Sequence, residues 1–469
     1  MKIYNSLTKS VDDFTPLDGE MARIYSCGPT VYNNAHIGNL SSFVYADMLR
    51  RAVNLAGFPT KQVMNLTDVD DKTVLESAKR FSNLDPKGAL KKLTTFYEEI
   101  FKNDMTKIGN QVSEISFIHA TDSINDIQSL IHRLLSDGIA YVSDDGVYFD
   151  IKRYQKKRKY GQLSNVGLAS NTIARINNDE YDKESAQDFA LWKRQRGDEP
   201  GWDFEVNGHN LLGRPGWHIE CSAMSVKALG QPFDIHTGAV DLIFPHHENE
   251  IAQSTAGNQP ETYAKFFVHN EHLLVDNAKM SKSKNNFYTL SDIIEKGFDP
   301  LDFRMLILQS HYRSPSNFSW DNLTAARNRL RSWKNTAELR WQVPDIDDDG
   351  QFEIMNNLRQ QAGEALMNDM NTPEALKFID EAIKVITQDL SNVNHFALTA
   401  LFDFVDLYLG IDVLGNTPDL TDEQKDLINE RQVARSNDDY ETADNIRDNL
   451  LEQNIELSDS PIGPIWSRK

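Results

Sequence analysis

Cysteine is almost absent from this chain: Cys27 and Cys221 are the two present among 469 residues. A disulfide-stapled secreted scaffold is thereby excluded, and isolated cysteines are usually small buried apolar residues. Positive charge is also scarce, with 49 Lys and Arg against 70 Asp and Glu and a formal net charge of -21. That excludes loose, charge-driven coating of nucleic acid. Any such contact falls to local patches, Lys152 to Tyr160 or Arg327, Arg329, Arg331 and Lys334, and each patch reads equally well as a solvated face. No apolar run approaches the ~20 residues that cross a bilayer. The N-terminus, MKIYNSLTKS, lacks the apolar core of a secretory signal. These absences point to a cytoplasmic protein with no membrane partner.

Hydrophobic residues make up 40% of the chain and aromatics 10%, enough for a folded protein, and the length implies two to four domains. Arg23 to Cys27 reads as a buried strand broken by Gly28-Pro29-Thr30. A helix is expected from His36 to Asn39 onward, with Phe43, Ala46, Leu49, Val53 and Ala56 on one face. Gln62 to Leu66 is a second strand, so the order is the βαβ pattern of a parallel sheet, whose ligands bind at the carboxyl ends of strands. Residues from about 115 to 200 look inserted, with a helix over Ile124 to Gly138 and a hairpin at Asp144-Asp145-Gly146. Sheet character returns with Trp217 to Met224 and Phe233 to Phe244. Beyond about residue 300 the pattern is helical. Thr372 reads as an N-cap before Pro373, Asn416 to Asp419 as a linker, and the tail as one charged helix with a short extended end, Ile455 to Trp466.

Two short segments suggest chemistry: His36-Ile37-Gly38-Asn39, and Lys279-Met280-Ser281-Lys282-Ser283. Each follows an extended apolar stretch. A histidine and a small residue at a helix start can approach a nucleotide, and two lysines can neutralise departing pyrophosphate, the parts of an ATP site that activates a carboxylate. A third segment, His246 to Glu250, puts His246 and Glu250 on one helical face, whereas His247 and Glu248 lack ligand spacing. With Cys27 and Cys221 the set would suit zinc. Buried cysteines and a surface histidine–glutamate pair remain the alternative.

CGPTVYNNAHIGN (27–39), NLTDVDDK (65–72), DFALWK (188–193), GRPGWHIECSAM (213–224), DLIFPHHENEIAQS (241–254), KMSKS (279–283), HYRSP (311–315) and DMNTPEAL (369–376) occur here in the order found in cysteinyl-tRNA synthetases, and the chain resembles that family along its whole length. The resemblance implies an α/β fold, with a Rossmann-like parallel-sheet catalytic domain (1–115 and 205–290) and a connective insertion (116–204). A stem-contact region (291–345), a helical bundle (346–415) and a small α+β anticodon-binding domain (416–469) would follow. It implies a class I ligase that activates L-cysteine with ATP, magnesium assisting, and passes it to the terminal adenosine of tRNA(Cys). One zinc ion would be held by Cys27, Cys221, His246 and Glu250. His36, Asn39, Lys279 and Lys282 would handle the nucleotide, Asp241 its ribose. Thr67, Trp217 and His236 would line the amino-acid pocket. The family leans monomeric.

The resemblance also implies tRNA contacts by Arg435, Arg447 and Trp466, by Arg313 and the Arg327 to Lys334 stripe, and by the Lys152 to Lys159 patch. For Trp466 a cap over a small core is the competing reading. Departures from the family occur at Thr237-Gly238-Ala239, where three glycines are usual, and at Lys284-Asn285-Asn286, where Asn285 would stand in for a glycine. A ligase that passes cysteine to an amino-sugar, lacking the C-terminal region, is the rival enzyme.

Overall fold

Strands buried on both faces lose their polar alternation, and four segments of this chain show that pattern. In the computed structural model, which describes residues 1–164, 188–280, 286–346, 349–460 and 462–468, they are four strands of a five-stranded parallel sheet. Its order is Ala264–Asn270, Phe233–Ala239, Ala22–Ser26, Thr60–Leu66, Ile115–His119. The chain steps outward from Ala22–Ser26 to Ile115–His119, then returns to build the other side. Strand order therefore reverses between Ala22–Ser26 and Phe233–Ala239, and the crevice at such a reversal is where ligands bind in open α/β sheets. The helix Ile37–Leu55 is capped by the His36 ring, which accepts a hydrogen bond from the Asn39 amide.

Trp217 to Met224 is not sheet but the start of a helix, Trp217–Leu229. Ile219 and Ala223 pack into the core of the inserted region, while Cys221, Met224 and Leu229 pack against the parallel sheet. A helix covered on both sides shows no polar stripe, so its short apolar run looks like a buried strand. The inserted region holds the helix Ile124–Ser136 and three strands of an antiparallel sheet, Phe189–Arg194, Gly146–Phe149 and Ala140–Ser143, the last pair being the expected hairpin; Gly213–Pro215, beyond the expected end of the insertion at 204, adds the edge next to Phe189–Arg194.

The chain forms two compact units, the first comprising Met1–Pro300, His311–Phe318 and Met367–Met370, the second Leu301–Ser310, Ser319–Leu366 and Asn371–Lys469. The second is built on helices including Trp320–Glu338, Thr372–Gln388 and His395–Leu409. Asn371, not Thr372, is the N-cap, accepting from the Glu374 amide at 3.2 Å; asparagine caps as well as threonine does, and proline then falls one place further in. The supposed linker is packed: Thr417 is fully buried and its hydroxyl accepts from Arg340 at 3.0 Å. The tail has two helices, Asp422–Ser436 and Tyr440–Glu452. Asp438 at φ +62 breaks them without glycine or proline, and Asp439 caps the second. A hairpin, Ile455–Ser460 with Gly463–Arg468, ends the chain. Among the described residues no helix is long and apolar enough to cross a membrane.

Candidate active site and metal centre

Four elements meet at the strand-order reversal. Cys27 follows the strand Ala22–Ser26, Cys221 lies on Trp217–Leu229, and His246 and Glu250 come from the turn Ile243–His247 and the helix Glu248–Thr255. The ligand atoms of these four residues all lie within 4.8 Å of one another. Both cysteines are free thiols, and His246 Nε2 is 3.1 Å from Glu250 Oε1. Two sulfurs, an imidazole and a carboxylate converging at that range make a set that can hold a metal ion.

A second set shares its space: Cys27, His236, His247 and Glu250. His247 Nε2 is 3.4 Å from Cys27 Sγ, its Nδ1 is 2.8 Å from His269 Nε2, and His269 Nδ1 is 2.7 Å from Ser6 Oγ. Sequence spacing set His247 aside because it assumed a regular helix. The turn before Glu248 is kinked, with Phe244 extended at φ -135 and ψ 132, and the adjacent histidines reach different sides of the cluster. His236 Nε2 and the Tyr263 hydroxyl both meet Glu250 Oε2, at 2.8 and 2.9 Å, and His236 Nδ1 is buried with no hydrogen-bond partner among the described residues. His269, His218 and Tyr263 carried no sequence signal beyond their residue type.

Burial sets the charges. It raises the Cys27 thiol well above its ordinary value, with Cys221 and Glu250 adding to the effect. At Cys221 a hydrogen bond with Cys27 works downward, but burial and Glu250 outweigh it. Burial pushes His246, His218 and His269 down to about 3, so these rings stay neutral and keep a lone pair. At Glu250 burial favours the neutral acid, yet the adjacent His236 ring and the hydrogen bonds from His236 and Tyr263 hold it below its ordinary value. A bound cation reverses the preference of the thiols.

The expected amino-acid pocket residues gather round this cluster. The Trp217 ring stacks on His246 at 4.2 Å. Thr67, after the strand Thr60–Leu66, donates to Glu220 at 3.1 Å, and Glu220 precedes Cys221. Of the Thr237-Gly238-Ala239 departure, the middle glycine is the constrained one, since a Cβ there would lie 2.8 Å from Leu242 Cδ1 and 3.1 Å from the His247 ring.

The two nucleotide motifs also meet. The Ile37 amide donates to Tyr288 O at 2.9 Å, His36 pairs with Thr289, and a Cβ on Gly38 would lie 3.1 Å from Met280 Cε. His36 is half-buried and Asn39 exposed at the start of Ile37–Leu55, whose first turn has no acidic residue. Lys279 is exposed on the short strand Ala278–Lys279. Asp241 is exposed just past the carboxyl end of Phe233–Ala239. Lys282, Lys284 and Asn285 lie outside the described residues.

Several expected RNA contacts are otherwise engaged. Trp466 is 6% exposed in a core with Leu420, Ile446, Leu450 and Ile455, which is the capping role. Arg313 pairs with Asp369, Arg327 with Asp302, Arg329 with Asp380, and Arg435 with Asp459.

The family described as "tRNA synthetases class I (C) catalytic domain" matches residues 13–328. A cysteine–tRNA ligase of Leptospira interrogans is 39% identical over 100% of this chain and 99% of its own. One of Brachyspira hyodysenteriae is 39% identical over 99% of each. Among solved structures, methionyl-tRNA synthetase of Mycobacterium tuberculosis with methionyl-adenylate superposes at TM-score 0.57, covering 84% of this chain and 89% of that one at 13% identity. The LeuRS–tRNA–LeuAMS ternary complex of Agrobacterium radiobacter K84 gives 0.61 over 86% of each at 11%. At such identities these two structures speak to the fold alone.

Proposed function

Because the chain belongs to the cysteine–tRNA ligases, a family of class I aminoacyl-tRNA synthetases, we propose that Cys27, Cys221, His246 and Glu250 hold one zinc ion that selects L-cysteine by its sulfur. The reaction is ATP-dependent: L-cysteine becomes cysteinyl-adenylate with release of pyrophosphate, and the cysteinyl group passes to the terminal adenosine of tRNA(Cys). The match includes the tail, which the amino-sugar ligase reading lacks.

The convergence of four donors from four elements, Cys27 and Glu250 being 223 positions apart, carries the proposal. This set is preferred to the one with His236 and His247 because it supplies two sulfurs, and zinc favours thiolate ligands. When bound, zinc supplies affinity for a thiolate that serine's hydroxyl cannot match, discrimination of about 10⁴ or more, so that no editing step is needed. Trp217, stacked on His246, walls the pocket to a small side chain. His236 and Tyr263 orient the Glu250 carboxylate through their hydrogen bonds. His36 and Asn39 receive the ATP phosphates, with magnesium, at the start of a helix whose dipole favours anions. Asp241 accepts from the ribose. Lys279 and Lys282 act on charge that develops as pyrophosphate leaves, so they stabilise the transition state more than the ground state.

Zinc content measured on purified protein tests this. One ion per chain is expected, lost in Cys221→Ser together with preference for cysteine over serine. Retention of zinc in Cys221→Ser and its loss in His247→Gln would assign the ion to the other set and overturn the ligand assignment.

A further inference from the structure

We infer that Asp369 is a positioning residue for adenylation, holding in place the hairpin that carries Lys279; this rests on the role given to Lys279 above. Asp369 and Met370 stand at φ +60 and +50, two consecutive left-handed positions that glycine would adopt without cost. Such angles persist where surrounding contacts over-determine them, and here the contacts converge on one carboxylate. Asp369 is 5% exposed. Its Oδ1 accepts from the Tyr4 amide at 2.8 Å and the Tyr312 hydroxyl at 2.5 Å. Its Oδ2 accepts from Arg313 Nε at 2.8 Å and pairs with Arg313 Nη2 at 2.5 Å. His311 Nε2 stands 3.8 Å off. The Asp369 amide donates to Lys2 O at 2.9 Å, and the Arg313 guanidinium lies 4.8 Å over the Tyr4 ring. One carboxylate thus ties the N-terminal strand to the segment His311–Phe318.

That segment is the base of the lysine hairpin. The Glu271 amide donates to Tyr312 O at 2.8 Å. Ser316–Phe318 pairs in parallel with Leu273–Val275, and Ala278–Lys279 pairs antiparallel with Leu274 and Val275. Asp276 and Asn277, at φ +49 and +61, make the two-residue turn suited to a tight hairpin. The Asp276 amide donates to Phe318 O at 2.9 Å, and the Asn277 amide to the Asn317 side chain at 2.8 Å. Among the described contacts, a short path of hydrogen bonds and strand pairing leads from Asp369 to Lys279. Misplacing a charge that acts in the transition state lowers turnover and leaves ground-state binding of the amino acid intact.

A double-mutant cycle in cysteine-dependent ATP–pyrophosphate exchange tests this. Asp369→Asn keeps the shape of the side chain and removes its charge. It should lower kcat about tenfold with KM for cysteine changed less than about twofold and with zinc content unchanged. Tyr312→Phe, a milder loss from the same hub, should lower kcat in the same sense by less. In a Lys279→Ala background Asp369→Asn should cost less than about twofold, because the residue it positions is already gone. Slow Lys279→Ala with Asp369→Asn at the wild-type rate overturns the inference alone. So does a full tenfold loss in both backgrounds, or a fall in melting temperature with kcat per folded molecule unchanged. Lys279→Ala at the wild-type rate overturns the reading of the lysine, and the inference with it.

Discussion

A methyl group at position 28 would sit 1.8 Å from the carbonyl oxygen of Asn65 and 2.8 Å from Met64 Cγ. Neither atom can move freely, since both belong to the adjacent strand Thr60–Leu66, and the Gly28 amide is itself bound to Asn65 Oδ1 at 2.8 Å. Gly28→Ala must therefore displace the loop that presents Cys27. It should destabilise the protein by about 2 kcal/mol or more and lower zinc retention, both measurable on the same preparation by thermal unfolding and metal analysis. At this scale residue type was enough to mark candidate donors. Cys27, Cys221, His246 and Glu250 were legible as donors, but His247 was not, because the turn that delivers it departs from helical spacing.

Elements obey their local signals unless burial hides them. The helix Pro86–Lys107 begins at an Asp85 cap with proline in its first turn, as capping rules require. Near its end, burial raises Asp104 from 3.8 to about 6, with Lys107 pulling the other way. The folded value exceeds the unfolded one, so this group's stabilising contribution is complete below about pH 4 and is lost as pH rises through about 6. Asp104→Asn should therefore be more stable than the parent at neutral pH by about 1 kcal/mol, after discounting for solvent screening. The advantage should vanish in acid, and thermal unfolding followed across that range reads it. Trp217–Leu229 shows the opposite case: covered on two sides, it offered no periodicity to read, and its helical nature came from packing.

Across the whole molecule the tail behaves as its own small core. Trp466→Ala should cost this core about 3 kcal/mol and speed hydrogen exchange of the Ile455–Ser460 amides. Cysteine activation should be unchanged while charging of tRNA(Cys) falls, a split read by comparing pyrophosphate exchange with aminoacylation. By itself the sequence determined the class of sheet, the order of the motifs and the chemistry of the donors, because strand burial, turn residues and ligand type are local properties. Only the tertiary structure decided which donors meet, which arginines are taken up by ion pairs, and that the segments carrying His36 and Lys279 come together at Gly38 and Met280. Those outcomes depend on where the strand order reverses and on contacts between residues from tens to hundreds of positions apart, and no local pattern encodes either.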